Sequence, residues 1–387
     1  EGQSNDNLHS AEGGIEQHSP AKCMAAVFVM EMIVQSTCAA KDIMDMVQPS
    51  LPTASSALPC PFSAGWELIK TVELPKHGSD ARLIGGFSAV AYQRQHDRLW
   101  LLSDSPQGYL VSFTGLRALL KTEQGSLLGG HRLMLRDASG ALLPEGFDGE
   151  GLVLMNDQAW IVSEGRRRPE RRARLQRFSL RNGHLQQDVA LPPAWQEREG
   201  QGLASNKGPE SLMRTASGDL VLAAEAPLIQ DRAHAGRDWV RLARLRPVAG
   251  GRPEPLDGMA IGPAGAAVTH KLGLTELLAM EDASAVLALL RSVSPDRGWT
   301  AQLAVVQMPA SGRAAAPPIQ PLHRWNLLSS GLPAANWEGM AWGPMTGDGR
   351  VSLVMVNDDG FSSLQRNWLS VLAPVHRPGC GPDQFAF

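Results

Sequence analysis

Five segments of the chain line up at a spacing of about sixty residues, and this repeat limits the fold more than any other feature. They are GGFSAVAYQRQHDRLWLLSD from Gly85, DGEGLVLMNDQAWIVSEG from Asp148, KGPESLMRTASGDLVLAAEA from Lys207, GLTELLAMEDASAVLALLRS from Gly273 and NWEGMAWGPMTGDGRVSLVMVNDD from Asn336. Each has a Gly-containing lead-in, a Glu (Ser88 in the first), a short apolar run, a polar turn and a second apolar run. The aligned positions Ser88, Glu150, Glu210, Glu276 and Glu338 are 62, 60, 66 and 62 residues apart. Four of the second runs end on an acid, Asp104, Glu164, Glu225 and Asp358, and the fourth ends on Arg291. Apolar runs bounded by Gly, Asp, Asn and Pro read as strands joined by hairpin turns. Ser217-Gly218-Asp219 and Thr346-Gly347-Asp348-Gly349 are the clearest of those turns. No long stretch keeps the 3.6-residue apolar period of a sustained helix.

Weaker strands follow each hairpin, at 174–180 and 184–191, at 240–246 and near Met259, and at 301–308 and 321–327. Four strands per repeat make one propeller blade. The expected fold is therefore all-β, a β-propeller of five four-stranded blades, with a sixth only if 113–147 supplies further strands. The last repeat has three strands, 339–342, 351–357 and 368–373, and the missing one is available at Trp66–Leu74. Closure by this N-terminal strand removes the exposed edges of the first and last blades. Cys60 lies just before the closing strand and Cys380 just after its antiparallel neighbour. That placement predicts a Cys60–Cys380 disulfide, worth roughly 4–5 kcal/mol for a loop of this length, and with it an oxidising compartment. Two free cysteines near the termini are the alternative.

The first sixty residues differ from the rest. Residues 1–22 are polar and read as disordered. Residues 24–34 are apolar except for Glu31, and Ser36, Thr37, Ala39 and Ala40 follow, a degraded form of an export signal. Residues 47–61 are rich in Pro, Ser and Ala and read as a linker. The expected division is a tail over 1–61 and a propeller over 62–387, located outside the cytoplasm. A net charge of -3 provides no broad basic footprint for nucleic acid. No apolar run approaches the ~20 residues of a transmembrane helix, and a monomer is expected.

In an antiparallel hairpin the start of the first strand and the end of the second share one end. Glu150, Glu210, Glu276 and Glu338 should therefore crowd one face around the axis with Asp104, Glu164, Glu225 and Asp358. Like charges so close repel, and some carry protons unless a cation neutralises them. An all-oxygen set suits a hard cation, Ca²⁺ before Mg²⁺. The first four acids are the candidate catalytic residues and the second four the candidate metal ligands. The plainer alternative is that they accept hydrogen bonds from loop N–H groups. Arg166, Arg167, Lys207 and Arg291 fall near the same face and suit an anionic substrate, although Arg166 and Arg167 open a run that also reads as a solvated basic loop. Gly86-Phe87-Ser88-Ala89-Val90 lacks the second half of a nucleophile elbow. The ten histidines form no metal-binding pair on a helix, and the tryptophans beside the hairpins are expected between blades.

Asp148-Gly149-Glu150-Gly151, Trp160 to Gly165, Lys207 to Leu212, Gly273 to Leu278 and Asn336 to Ala341 resemble, in order and spacing, the phytase-like β-propeller family, also called "esterase-like activity of phytase". The resemblance spans roughly 62–374. It implies an exported propeller and a calcium-dependent phosphoesterase acting on a small anionic ester. The Asp-Asp-Pro-Ala segment of alkaline propeller phytases is absent here, and those enzymes have six blades. The expected function is an extracytoplasmic, Ca²⁺-assisted hydrolase of phosphate or carboxylic esters. The alternative is a non-catalytic propeller that binds a ligand or protein on the same face.

Overall fold

The computed structural model describes residues 64–165, 171–232, 239–247, 251–262, 272–280, 285–296, 298–309 and 318–376. Cys60, Cys380, Arg166 and Arg167 lie outside the described residues. All described residues belong to one compact unit, Ser56–Phe387.

The sixty-residue repeat becomes five antiparallel four-stranded blades. Blade I is Phe87–Gln93, Arg98–Ser103, Tyr109–Thr114 and Leu128–Met134. Blade II is Gly149–Met155, Gln158–Ser163, Arg174–Ser179 and Leu185–Val189. Blade III is Pro209–Arg214, Leu220–Ala224, Leu242–Leu245 and Glu254–Pro255, and blade IV is Gly273–Ala279, Ala285–Ser294, Gly298–Gln307 and Pro321–Asn326. Blade V is Asn336–Trp342, Leu353–Asp358 and Asn367–Pro374, completed by Trp66–Leu74. The closing pair runs antiparallel from Trp66 opposite Pro374 to Leu74 opposite Asn367. Every blade thus pairs in chain order except the one that joins the two ends of the ring.

Two expectations are corrected. Residues 113–147 supply no sixth blade: they hold the end of blade I's third strand, the short helix Leu116–Lys121 and blade I's own fourth strand. Met259 is not in the fourth strand of blade III. Met259–Ala260 pairs with Trp239–Val240 in a separate two-stranded sheet, while Glu254–Pro255 takes the blade edge. A proline with no N–H to donate is tolerated at such an edge.

The cores lie between neighbouring blades, because each sheet face is apolar and needs a partner. Trp160 of blade II packs with Leu212 and Leu222 of blade III. Trp337 of blade V packs with Leu287, Leu289 and Leu303 of blade IV, and its Nε1 donates to Pro333 O at 2.7 Å. Trp100 of blade I packs with Leu152 and Ile161 of blade II. These tryptophans are the inter-blade wedges expected of them. Trp337 is fully buried, so Trp337→Ala leaves both a cavity and an unpaired carbonyl. A loss of about 3–5 kcal/mol is expected, read as a lower denaturant midpoint at unchanged slope.

Candidate functional site

Each inner strand carries one bulge near its start. In blade II, Gly149 pairs with Ser163 and Gly151 with Val162, so Glu150 is the extra residue. The extra residues of blades I, III and V are Ser88, Glu210 and Glu338. A bulge re-aims the side chain it carries, and here it turns Glu150, Glu210 and Glu338 toward one another around the axis. In blade IV the break falls between Leu274 and Glu276, so Thr275 is the extra residue. This corrects the sequence register by one. Glu276 instead takes the position of Ala89, Gly151, Ser211 and Gly339, which are small because the inner strands crowd together. A Cβ on Gly339 would lie 2.7 Å from Ala89 Cα, and one on Gly151 2.8 Å from Leu212 N. Glu276 is buried, accepts from Leu277 N at 2.9 Å, and burial holds its carboxyl well above the usual range. No other acid raises it, so it stands apart from the cluster.

The second-strand ends fall in one register. The N–H groups of Asp104, Glu164 and Glu225 donate to Gly86 O, Asp148 O and Gly208 O at 2.8, 2.9 and 2.8 Å. Asp358 pairs with Asn336 and Arg291 with Gly273. Those facing residues are glycine in three blades, whereas Asp148 and Asn336 add polar side chains to the face. Asp148 has φ 54, a left-handed conformation that Asp tolerates better than most residues.

The result is a crowded, mostly buried set of carboxyls. Burial pushes Asp104 up to about 9, helped by the charges of Asp358, Glu338 and Asp148. Burial likewise raises Glu338 to about 8, against the opposing pull of Arg291, and Glu164 to about 7, against the Gly208 N–H. Glu150 and Glu210 rise well above the usual range through burial and then through neighbouring glutamates. Glu150 is largely enclosed by protein yet stays partly accessible.

Cations are interleaved. Lys207 Nζ donates to both oxygens of Glu225, at 2.7 and 2.6 Å. Arg291 Nη2 lies 2.7 Å from Glu338 Oε1, which also accepts from Asn336 Nδ2 at 2.8 Å. Arg171 pairs with Asp148, and Lys76 with Asp359, which also accepts from Gly86 N at 2.7 Å. Glu164 Oε1 accepts from Gly208 N at 3.0 Å. The loop hydrogen bonds weighed against a metal role therefore exist for Glu164 and, through Gly360 N at 2.6 Å, for Asp358. No hydrogen-bond donor reaches the Glu150 carboxylate among the described residues.

Oxygens of Asp148, Glu150 and Glu164 all lie within 4.8 Å of one another, and so do oxygens of Glu164, Glu210 and Glu225. Ligand oxygens 2.3–2.6 Å from a Ca²⁺ ion are at most ~5 Å apart, so both groups fit a hard cation, and they share Glu164. Asp104 and Asp358 belong to neither group. Asp148, Asp359, Lys76 and Asn336 are site residues missed from the sequence, whereas Arg171 belongs to the basic run that Arg166 opens. Asp148 and Asn336 had a signal: they replace glycine at the lead-in.

A cleft of about 650 Å³ is lined by Arg171, Arg172, Arg174, Leu143 and Phe147, and by Ser163, the chain neighbour of Glu164. This volume suits a small organic molecule, and Arg171 joins the cleft to Asp148. Ser88 Oγ donates to Gly149 O at 2.6 Å, tying blade I to blade II.

Residues 82–361 match the family described as phytase-like, "esterase-like activity of phytase". The chain belongs to this phytase-like family. The match runs from just before blade I to just before the last strand of blade V, so it takes in all the axial acids. No curated protein matches the chain. Among solved structures, the chain is similar to endo-arabinase from Bacteroides thetaiotaomicron, at 10% identity and TM-score 0.44, covering 79% of this chain and 99% of that one. It is also similar to RS223-β-xylosidase, at 11% identity and TM-score 0.45, covering 80% and 96%. The Neurospora crassa Pan2 WD40 domain gives 10% identity and TM-score 0.34, covering 81% and 97%. Likenesses this low bear on no function, and the propeller is read from its own strand pairing. Among the described residues, no helix of this phytase-like chain is long and apolar enough to cross a membrane.

Proposed function

We propose that the axial face is the active site of an extracytoplasmic, cation-assisted hydrolase of small anionic esters. The observation that carries this is the Asp148–Glu150–Glu164 group: its oxygens lie within 4.8 Å of one another, and no donor among the described residues reaches Glu150. Asp148, Glu150 and Glu164 would hold the ion, Ca²⁺ before Mg²⁺. When bound, such an ion polarises an ester oxygen and acidifies a water.

The chain's own residues do the rest. Lys207 is two-fifths exposed above the buried Glu225 and offers its remaining N–H to an anionic group. Arg171 and Arg172 stand in the cleft beside the group, and guanidinium forks match phosphate and carboxylate oxygens. Burial lifts Glu338 to about 8, against the pull of Arg291, and a carboxyl raised toward neutral pH suits a group that gives a proton to a leaving oxygen. Arg291 is turned inward to the acids, so its work is to hold Glu338 in place. Arg166 and Arg167, placed by the sequence at the start of the basic run, remain part of the proposed anion site, as Cys60–Cys380 remains the proposed seam and 1–61 the proposed tail.

Hydrolysis of a panel of phosphomonoesters and carboxylic esters, with Ca²⁺ and with chelator, tests the reading. Cation-dependent turnover is expected, and Glu150→Gln is expected to reduce it about 100-fold through weaker ion binding. Absence of cation-dependent turnover across the panel would leave the same face as a binding surface and defeat the enzyme reading.

A further inference from the structure

Blade IV breaks the axial pattern twice at one place. At the bulge, where blades II, III and V present glutamate, it presents Thr275. At the end of its second strand, where the other blades present acids, it presents Arg291. It therefore adds no acid to the ring and one permanent cation. The guanidinium lies 2.7 Å from Glu338 Oε1, 3.6 Å from Glu210 Oε2 and 3.7 Å from Glu225 Oε1. These three carboxylates come from blades III and V, on either side of blade IV. Two of them have further donors: Glu225 accepts from Lys207 and Glu338 from Asn336. The third is different. Glu210 is 6% exposed, and its buried Oε2 has no hydrogen-bond donor among the described residues, only the guanidinium at 3.6 Å.

A carboxylate oxygen buried beside two other carboxylates, and held by charge without a hydrogen bond, is placed as a ligand of a central cation would be. An unpaired buried charge is costly, so the ionised form of this half of the ring calls for a cation at its centre, and the chain supplies one covalently. We infer that Arg291 stands in for a divalent ion among Glu210, Glu225 and Glu338. The inference builds on the cation-binding reading of the face, yet it concerns the other half of it. With Arg291 in place, its guanidinium already faces two members of the Glu164–Glu210–Glu225 group, Glu210 at 3.6 Å and Glu225 at 3.7 Å, so the blade II group of Asp148, Glu150 and Glu164 is the seat left for a divalent ion. Without it, the blade III and V carboxylates become a second seat.

Calorimetric titration of the full chain with CaCl₂ counts the ions. Wild type is expected to bind one Ca²⁺, Arg291→Gln two and Arg291→Lys one. In saturating Ca²⁺ the variant's melting temperature should rise further above its value in chelator than wild type's does. An Arg291→Gln protein with the same ion count as wild type overturns the inference and leaves the hydrolase reading standing. A wild type that binds none with a variant that binds one keeps the inference and removes the cation from the proposed function. Solubility of Arg291→Gln only when Ca²⁺ is present supports the exchange. Insolubility at every Ca²⁺ concentration, with Arg291→Lys soluble, shows that a divalent ion cannot replace the guanidinium and overturns it.

Discussion

In the presence of chelator, raising the pH from 5 to 9 is expected to lower the stability of the propeller by on the order of 5 kcal/mol, and Ca²⁺ to restore most of it. The direction follows from the proton count. The carboxyls of an unfolded chain titrate near 4, whereas burial lifts Glu164 to about 7, Glu338 to about 8 and Asp104 to about 9. Between those limits the folded state binds more protons than the unfolded state. A folded state richer in protons loses stability as pH rises, from above about pH 4 until the last of these groups has titrated. For an isolated carboxyl, each tenfold gain in proton affinity on folding corresponds to about 1.4 kcal/mol. The groups interact, however, so the protons leave as a set and the separate contributions do not add. A divalent ion binds the ionised oxygens, so its affinity grows over the same range and opposes the loss. Calorimetric melting at pH 5, 7 and 9 measures both effects. A fall of roughly 10 °C is expected in chelator, with a much flatter profile in Ca²⁺. A melting temperature independent of pH in chelator would mean that the carboxyls are not held protonated in the fold.

The fold was legible because a blade is a local unit. Its hairpins are written as paired apolar runs within twenty-odd residues, and repetition made five weak signals into one strong one. The edge strand Glu254–Pro255 was not legible, because two residues beside a proline carry no periodicity. The face of the axial acids was legible for a geometric reason: strand starts and second-strand ends share one end of a hairpin. The register of blade IV was not. Matching Glu276 to the other glutamates was chemically natural, but a bulge depends on how the backbone fits its neighbours. Gly273-Leu274-Thr275 places the break one residue early. Arg291 was visible as an exception, and its role required the third dimension. Only the folded ring brings Glu210 and Glu338, 128 positions apart in the sequence, to the same guanidinium.

A chain beginning at Pro75 is expected to lose the cooperative fold altogether. Such a chain lacks Trp66–Leu74, which pairs along its length with Asn367–Pro374. Trp66 and Leu74 are buried at the two ends of that strand, and Leu68 and Val72 pack against the blade cores from between them. Burial of such side chains contributes about 1.5–3 kcal/mol each. Two buried and two half-buried side chains, with the strand's ladder of hydrogen bonds, therefore reach into the ~5–15 kcal/mol by which a domain is stable at all. The cross-links lost are also those that bridge distant parts of the chain: Thr71 with Ser370 at 2.7 Å, Lys70 with Leu119 O at 3.1 Å and Glu67 with Arg350. In a ring the consequence spreads, since Asn367–Pro374 becomes an unpaired edge on one side while Leu116 and Leu119 lose the cover of Leu74 on the other. The expected signs are self-association in sedimentation and no sharp melting transition. A peptide of residues 64–75 supplied in trans should pair with the open edge and recover the transition in a concentration-dependent way. A truncated chain that melts as sharply as the full chain, with no response to the peptide, would mean that four blades and a three-stranded fifth are self-sufficient and that the strand fastens a ring already closed.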